Sequence, residues 1–395
     1  MDATTAIGDN GGELAAWLRL QLLPGVGPVA ARALLARFGL PPQIFAASFD
    51  ALREVVPAGV ARAVLAPHKP VANSQLALTL QWLRQPGNRV LTLADAAYPP
   101  LLLEIPDPPL LLYVRGRAEL LSRPCVAVIG SRNASAQGMQ NAAAFAAALS
   151  HAGLTIVSGL ALGIDTQAHE GGLRGAGSTV AVIGTGADLV YPRRNLELAQ
   201  RIAIQGCIVS EYALGLPAMP GNFPRRNRLI SGLARGVLGI EAAAQSGSLI
   251  TARLAGEHGR DVYALPGSIH SALAKGCHAL IKQGAKLVES VDDVLQELQW
   301  AASVAGTPAA AEDDGGHPLL AALGHDPQDA DTLGARSGLA MGEVMGQLLA
   351  LELAGRVERL PGGLFQRCKG QLVTCVAATP HACPLSARTL VPQRT

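Results

Sequence analysis

The residues best placed to do chemistry in this sequence are arginines that follow glycine turns. Gly130-Ser131-Arg132 closes the apolar run Val126-Ala127-Val128-Ile129, and Asn133-Ala134-Ser135 leads on into a helical stretch. Glycine lets the chain turn sharply. Ser131, Ser135 and the free N–H groups at a helix start can hydrogen-bond an anion, and Arg132 can clamp it with two parallel bonds. The turn is not a GxGxxG fingerprint. The next strand ends in Ser158-Gly159, with no acid to read a ribose hydroxyl. The pattern therefore points to phosphate rather than to a dinucleotide.

Two further strings add cations. Gly184-Thr185-Gly186 is followed by Tyr191-Pro192-Arg193-Arg194-Asn195. Phe223-Pro224-Arg225-Arg226-Asn227-Arg228 precedes Leu229-Ile230 and reads as a helix start with its apolar side buried. Its charged side, with Arg225, Arg226, Asn227 and Arg228, is expected to face the same crevice as the glycine turns. Arginines on several turns of one sheet edge suit a polyanion.

Evidence for catalysis is thin. Asp165 and His169 are one helical turn apart and form either an acid/base pair or a cap with a hydrogen-bonded histidine. Glu211 and Glu241 each follow a strand and could orient the arginines by ion pairing. There is no nucleophile elbow, no HExxH string and no P-loop lysine motif. The expectation is a binding protein and not an enzyme, with no catalytic residue, no metal and no cofactor.

These residues need a scaffold that brings the turns together. Short apolar runs ending in glycine or a polar residue recur from 126 to 264, separated by helical stretches such as 136–151, 194–205 and 248–258. Strand, glycine turn and helix in repetition signify an α/β, doubly wound parallel sheet, which binds ligands beyond the carboxyl ends of its strands. Residues 12–100 read as short helices broken by Pro and Gly. Within them, Leu23-Pro24-Gly25-Val26-Gly27-Pro28 has the form of a helix-hairpin-helix (SAM-like) turn, which offers N–H groups to DNA phosphates or serves structure alone. The sheet domain is expected over 101–300, a linker over 301–316 and a small unit over 317–368. Residues 369–395 read as a disordered tail.

That small unit reads as three helices and a hairpin around Pro361-Gly362-Gly363, a winged helix. Its third helix carries Glu343 and Glu352 and no cation, so protein contact suits it better than reading a duplex.

Composition agrees with this division. The chain has 395 residues with a net charge of +2, yet residues 125–290 hold fourteen Lys/Arg against nine Asp/Glu. Residues 312–360 hold three Arg against nine acids, so a basic middle is offset by an acidic end. A hydrophobic content of 49% excludes global disorder. No apolar run reaches the length of a membrane span, and no secretory signal is legible. The six cysteines are scattered without a CxxC pair, which suits a reducing cytoplasm.

Taken together, VIGSRNAS (128–135), SGLALGIDTQAH (158–169), GTGADLVYPRRN (184–195), FPRRNRLISGL (223–233), EAAAQSGSLITARLA (241–255) and PGSIHSALAKGCHALIKQGA (266–285) resemble the DNA-processing protein A, or DprA/Smf, family. The likeness covers roughly residues 12–368. It implies an extended Rossmann-like sheet that binds single-stranded DNA, without turnover. It further implies loading of RecA onto incoming strands in natural transformation, in place of single-strand-binding protein, and a homodimer. The family's DNA pocket falls on Gly130, Ser131, Arg132, Arg193 and the Arg225–Arg228 stretch; Gly184, Gly186, Arg194 and Ser135 join it as neighbours. The dimer and RecA surfaces fall somewhere between about 237 and 290. A competing reading is a phosphoribohydrolase on a related sheet. Its PGGxGTxxE turn has only Gly247-Ser248-Leu249-Ile250-Thr251 as a counterpart here, without the double glycine or the glutamate.

Overall fold

The computed structural model describes residues 7–67, 70–300, 317–324 and 326–367. The expected linker (301–316), the tail (369–395) and Cys368, Cys375 and Cys383 lie outside the described residues. The chain divides into two compact units, Met1–Asp314 and Gly315–Thr395.

The first unit opens with six helices: Ile7–Gln21, Pro28–Phe38, Pro41–Ala46, Phe49–Arg53, Ala58–Leu65 and Pro70–Leu83. Proline opens the second and third, where its missing N–H costs nothing. Trp17, Leu34, Ile44, Leu52, Val64 and Trp82 form their shared core.

A nine-stranded sheet follows: β1 (Asn88–Thr92), β2 (Leu111–Gly116), β3 (Cys125–Gly130), β4 (Thr155–Ser158), β5 (Thr179–Val182), β6 (Cys207–Ser210), β7 (Gly236–Ile240), β8 (Asp261–Ala264) and β9 (Lys286–Leu287). The order across the sheet is β1-β2-β6-β5-β4-β3-β7-β8-β9. Strands β3 to β9 run parallel, whereas β2 pairs antiparallel with both β1 and β6. The first strand departs from the expected division. β1 lies inside the stretch read as helical, so the sheet begins before residue 101. Leu111 and Tyr113 of β2 pack into the helical core, with Trp82 edge-on to Tyr113 at 5.9 Å.

Parallel strands are covered on both faces, and β3 shows it residue by residue. Cys125, Ala127 and Ile129 enter one core and Val126 and Val128 the other. The chain lays down β3 to β6 on one side of β3 and then returns to start β7 on the other. The order reverses between β3 and β7, and a doubly wound sheet opens its crevice at such a point.

The second unit is a winged helix. Helices Pro318–Leu323, Ala330–Ser337 and Met341–Leu353 precede the hairpin of β11 (Val357–Leu360) and β12 (Leu364–Arg367), and β10 (Gln328–Asp329) pairs with β12. Gly362 and Gly363 turn the hairpin at φ +88° and +76°. Leu319, Leu333, Val344, Leu348 and Phe365 lie in its core. The third helix exposes Met341, Met345, Leu349 and Leu353, four residues apart along one side.

Candidate nucleic-acid interface

A crevice of about 650 Å³ opens where β3 and β7 diverge. Its floor is the β3 turn, Ile129 to Asn133; one wall is Tyr191, Phe223 and Pro224, and the other is Gln245, Ser246, Gly247, Ser248 and Thr251.

Gly130 is required by packing. A Cβ there would stand 2.0 Å from the carbonyl oxygen of Ile240 and 2.5 Å from Ile164. The turn is held at both ends: Ser131 N–H donates to Glu241 O at 2.7 Å, and Ile164 N–H donates to Ser131 O at 3.1 Å. Ser131 Oγ accepts the Asn133 N–H at 3.1 Å. Arg132 is thereby lifted out of the sheet. It is exposed, lines the crevice and sits 6.0 Å from the Phe223 ring centroid.

Tyr191 and Phe223 stack obliquely at 5.5 Å. Gly184 leaves the space for this wall, since a Cβ there would press the Phe223 ring at 3.1 Å. Gly186 fits against Asp188 and the Ala213 carbonyl. Both glycines shape the wall without lining the crevice. Arg193 and Arg194 are exposed on the short 3₁₀ turn just past Tyr191. Among the described residues Arg132, Arg193, Arg194 and Arg225 make no ion pair.

The arginines of the helix Asn222–Leu233 do not share one face, contrary to expectation. At 100° per residue, positions 225, 226 and 228 point three ways. Arg225 is exposed. Arg226 is buried at the crevice base, where Nη1 donates to Gly159 O at 2.7 Å and to Val182 O. Burial pulls its pKa down to about 10, against the opposing pull of Asp165. Arg228 points away from the crevice and is buried in an ion pair with Glu211 and, at 3.1 Å, with Asp107. It anchors the helix and has no access to a ligand. Asn227 lines the crevice and donates to Gly247 O at 3.4 Å, bridging two walls.

Asp165 and His169 are structural. Asp165 Oδ2 accepts the N–H groups of Gly159 at 3.1 Å and Ala161 at 3.2 Å. Burial raises its pKa, partly offset by Arg226. His169 Nε2 accepts the Leu160 N–H at 3.2 Å, and Nδ1 lies 2.7 Å from Thr179 Oγ1. Burial, with Arg226 nearby, lowers its pKa to about 3. The pair fixes the loop after β4, which in turn holds Arg226. Of the two glutamates, Glu211 does pair with an arginine, but outside the crevice.

Glu241 corrects another expectation. Its carboxylate accepts the Ser135 N–H at 2.8 Å and the Ser135 hydroxyl at 2.5 Å, so the helix start after β3 is already occupied. Ser135 is a cap, with Oγ accepting the Gly138 N–H at 3.0 Å. The start of the helix Ser248–Glu257 does line the crevice, through Gly247, Ser248 and Thr251, but its first N–H groups are taken locally: Ser248 N–H donates to Ser246 Oγ at 3.3 Å, Leu249 N–H to Ser246 O at 3.1 Å and Ile250 N–H to Gly247 O at 3.3 Å. Sequence reasoning used this string in the family resemblance and as a poor phosphoribohydrolase turn, and did not place it in the pocket. Its signal was the small polar run Gln245-Ser246-Gly247-Ser248 between a strand and a helix.

The arrangement offers an exposed guanidinium, a buried cation beneath it and side-chain hydroxyls. Together these favour anionic oxygens. Two comparisons between families and this chain bear on the identity. The family described as DNA recombination-mediator protein A matches residues 89–299, and the DprA winged helix domain matches residues 303–363.

The chain belongs to the DprA/Smf family. Protein Smf of Escherichia coli is 42% identical over 309 residues, covering 75% of this chain and 81% of that protein. The DNA processing protein DprA of Streptococcus pneumoniae is 49% identical over 209 residues, covering 53% of this chain and 74% of that protein. The X-ray structure of the Streptococcus pneumoniae protein superposes with a TM-score of 0.62 at 38% identity, covering 71% of this chain and 95% of that one. As a DprA/Smf member, the chain is a DNA-processing protein.

Proposed function

We propose that the crevice at the β3–β7 switch point holds the sugar-phosphate backbone of single-stranded DNA. The observation that carries this reading is Arg132, exposed and without an ion pair among the described residues, raised over a crevice whose base is the buried Arg226. Guanidinium forks and hydroxyl groups recognise phosphate oxygens and leave base edges unread. The Tyr191–Phe223 wall adds a limited apolar surface beside them. The exposed Arg193, Arg194 and Arg225 extend the positive field along the strand's path.

With family membership, this reading extends to biology. The protein protects incoming single strands in the cytoplasm and loads RecA onto them during natural transformation, displacing single-strand-binding protein. It works as a homodimer, so that two crevices hold one strand at high effective concentration. It binds without turnover.

The test is fluorescence anisotropy of a labelled oligothymidylate and of a duplex of equal length, over a salt series. Tighter binding of the single strand, with little difference between base compositions, is expected. Equal affinity for both forms contradicts the reading. Light scattering at micromolar concentration tests the homodimer, which a monomer mass would refute.

A further inference from the structure

The third helix of the winged-helix unit, Met341–Leu353, has two unlike faces. Val344, Leu348 and Leu351 are buried in the unit's core. Met341, Met345, Leu349 and Leu353 stand exposed on the other side, Leu353 at 83%. At a spacing of four residues each is turned only about 40° from the last, so the four form one stripe. It runs about 18 Å along the helix at 1.5 Å per residue. Gly342, Gly346 and Ala350 are exposed beside it and add no charge. A continuous apolar strip on a surface marks a docking site. The charged residues of this helix are Glu343 and Glu352, and residues 312–360 hold three Arg against nine acids. An occupant that is apolar and cationic fits such a face. A second copy brings the same acids and is repelled.

The chain itself supplies that occupant. β12 ends at Arg367, which pairs with Val357, four residues beyond Leu353. Residues 368–395 therefore leave the unit near the Leu353 end of the stripe. They contain Lys369, Arg388 and Arg394 and no Asp or Glu, with Leu372, Val373 and Val376 soon after the exit. Five residues of extended chain reach about 17 Å, enough to bring Leu372 over the stripe. We propose that residues 368–395 dock on the Met341–Leu353 stripe of their own chain. Leu372, Val373 and Val376 lie against its apolar side chains, and the cations face the acidic unit around it. The tether holds the segment at roughly millimolar effective concentration, so an intrinsically weak contact suffices. The docking is independent of what the crevice binds.

Met341 and Met345 report on the face directly, and Met219, 49% exposed in the first unit, is an internal reference. Dilute peroxide converts accessible thioethers to sulfoxides, and peptide mass spectrometry gives the rate at each methionine. The full chain is compared with a chain that ends at Cys368, which keeps every described helix and strand. With an effective concentration of about 1 mM and an intrinsic Kd of about 0.1 mM, Met341 and Met345 should oxidise about tenfold more slowly in the full chain. Met219 should oxidise at the same rate in both. A full-length Leu372→Ser/Val373→Ser/Val376→Ser variant should lose the protection without any shortening. Equal rates at Met341 and Met345 with and without residues 369–395 overturn the proposal. Protection that survives their removal overturns it too, and assigns the face to a second copy if it grows with protein concentration. Protection retained by the triple variant overturns the assignment to these three apolar residues.

Discussion

Arg226 reaches from the helix Asn222–Leu233 to the carbonyl oxygen of Gly159 at the end of β4, with Nη1 and O 2.7 Å apart. A Cβ on Gly159 would lie 2.7 Å from the guanidinium, so the two residues are fitted to each other. This contact ties the helix beside the crevice to the loop after β4 and places a cation near the buried Asp165.

Arg226→Ala should therefore destabilise the protein by about 3–5 kcal/mol, because it leaves the Asp165 carboxyl buried beside unpaired carbonyl groups. Arg226→Lys restores the charge but not the fork, and should recover only part of the loss. Asp165→Asn is the contrast. Its amide oxygen still accepts the Gly159 and Ala161 N–H groups, so single-strand binding should stay within about twofold while stability falls by roughly 1–2 kcal/mol. Urea unfolding and anisotropy check these values. A loss under about 1 kcal/mol for Arg226→Ala would show that the buried fork does not hold the crevice.

His169 should make the protein sensitive to mild acid. Its pKa is lowered to about 3, while an unfolded histidine titrates near 6.5. Between these values the unfolded chain binds a proton that the native state refuses. Stability should therefore fall as pH drops from about 6.5 towards 3, by up to about 1.4 kcal/mol per pH unit. Above pH 6.5 His169 contributes no slope. Asp165 acts in the opposite sense, because its raised pKa lets the native state hold a proton above 3.8, which offsets part of the loss at the acid end. His169→Gln should flatten the stability profile between pH 6.5 and 5. An unchanged slope there would assign the sensitivity to other groups.

Two glycines of the crevice should respond differently to a methyl group. At Gly130 a Cβ meets backbone at 2.0 Å, and β3 cannot move without parting from β7. Gly130→Ala should cost more than about 3 kcal/mol and abolish binding. Gly247 has open space around its Cβ position and φ −60°. Gly247→Ala should leave the melting temperature within about 2 °C. Equal effects at the two sites would contradict the close packing of β3 on β7.

The parallel part of the fold was legible because strands buried on both faces appear as unbroken apolar runs, such as Val126–Ile129 and Val180–Ile183, each stopped by glycine. β1 was not legible. Asn88–Thr92 is short, half exposed and antiparallel, so neither an apolar run nor a βα repeat marks it. The exposed position of Arg132 on the crevice was legible from its turn. Arg228 was misplaced because proximity in sequence was taken for a shared face; the helical angle of 200° between 226 and 228 separates them. The occupied seat at Ser135 was beyond local reasoning, since Glu241 lies 106 residues away and meets it only through the pairing of β3 with β7.

The central claim is that Arg132 binds a phosphate of a single strand, and the salt dependence of binding by Arg132→Ala tests it most directly. Affinity for an oligothymidylate is measured by anisotropy across a salt series, for wild type and variant. Loss of one well-formed charge-assisted contact should raise Kd roughly tenfold to a hundredfold. The slope of log K against log salt should become shallower by about 0.7, the share of one phosphate in a single strand. The melting temperature should hardly change, because Arg132 is exposed. A folded Arg132→Ala protein with unchanged affinity and unchanged slope would contradict the account.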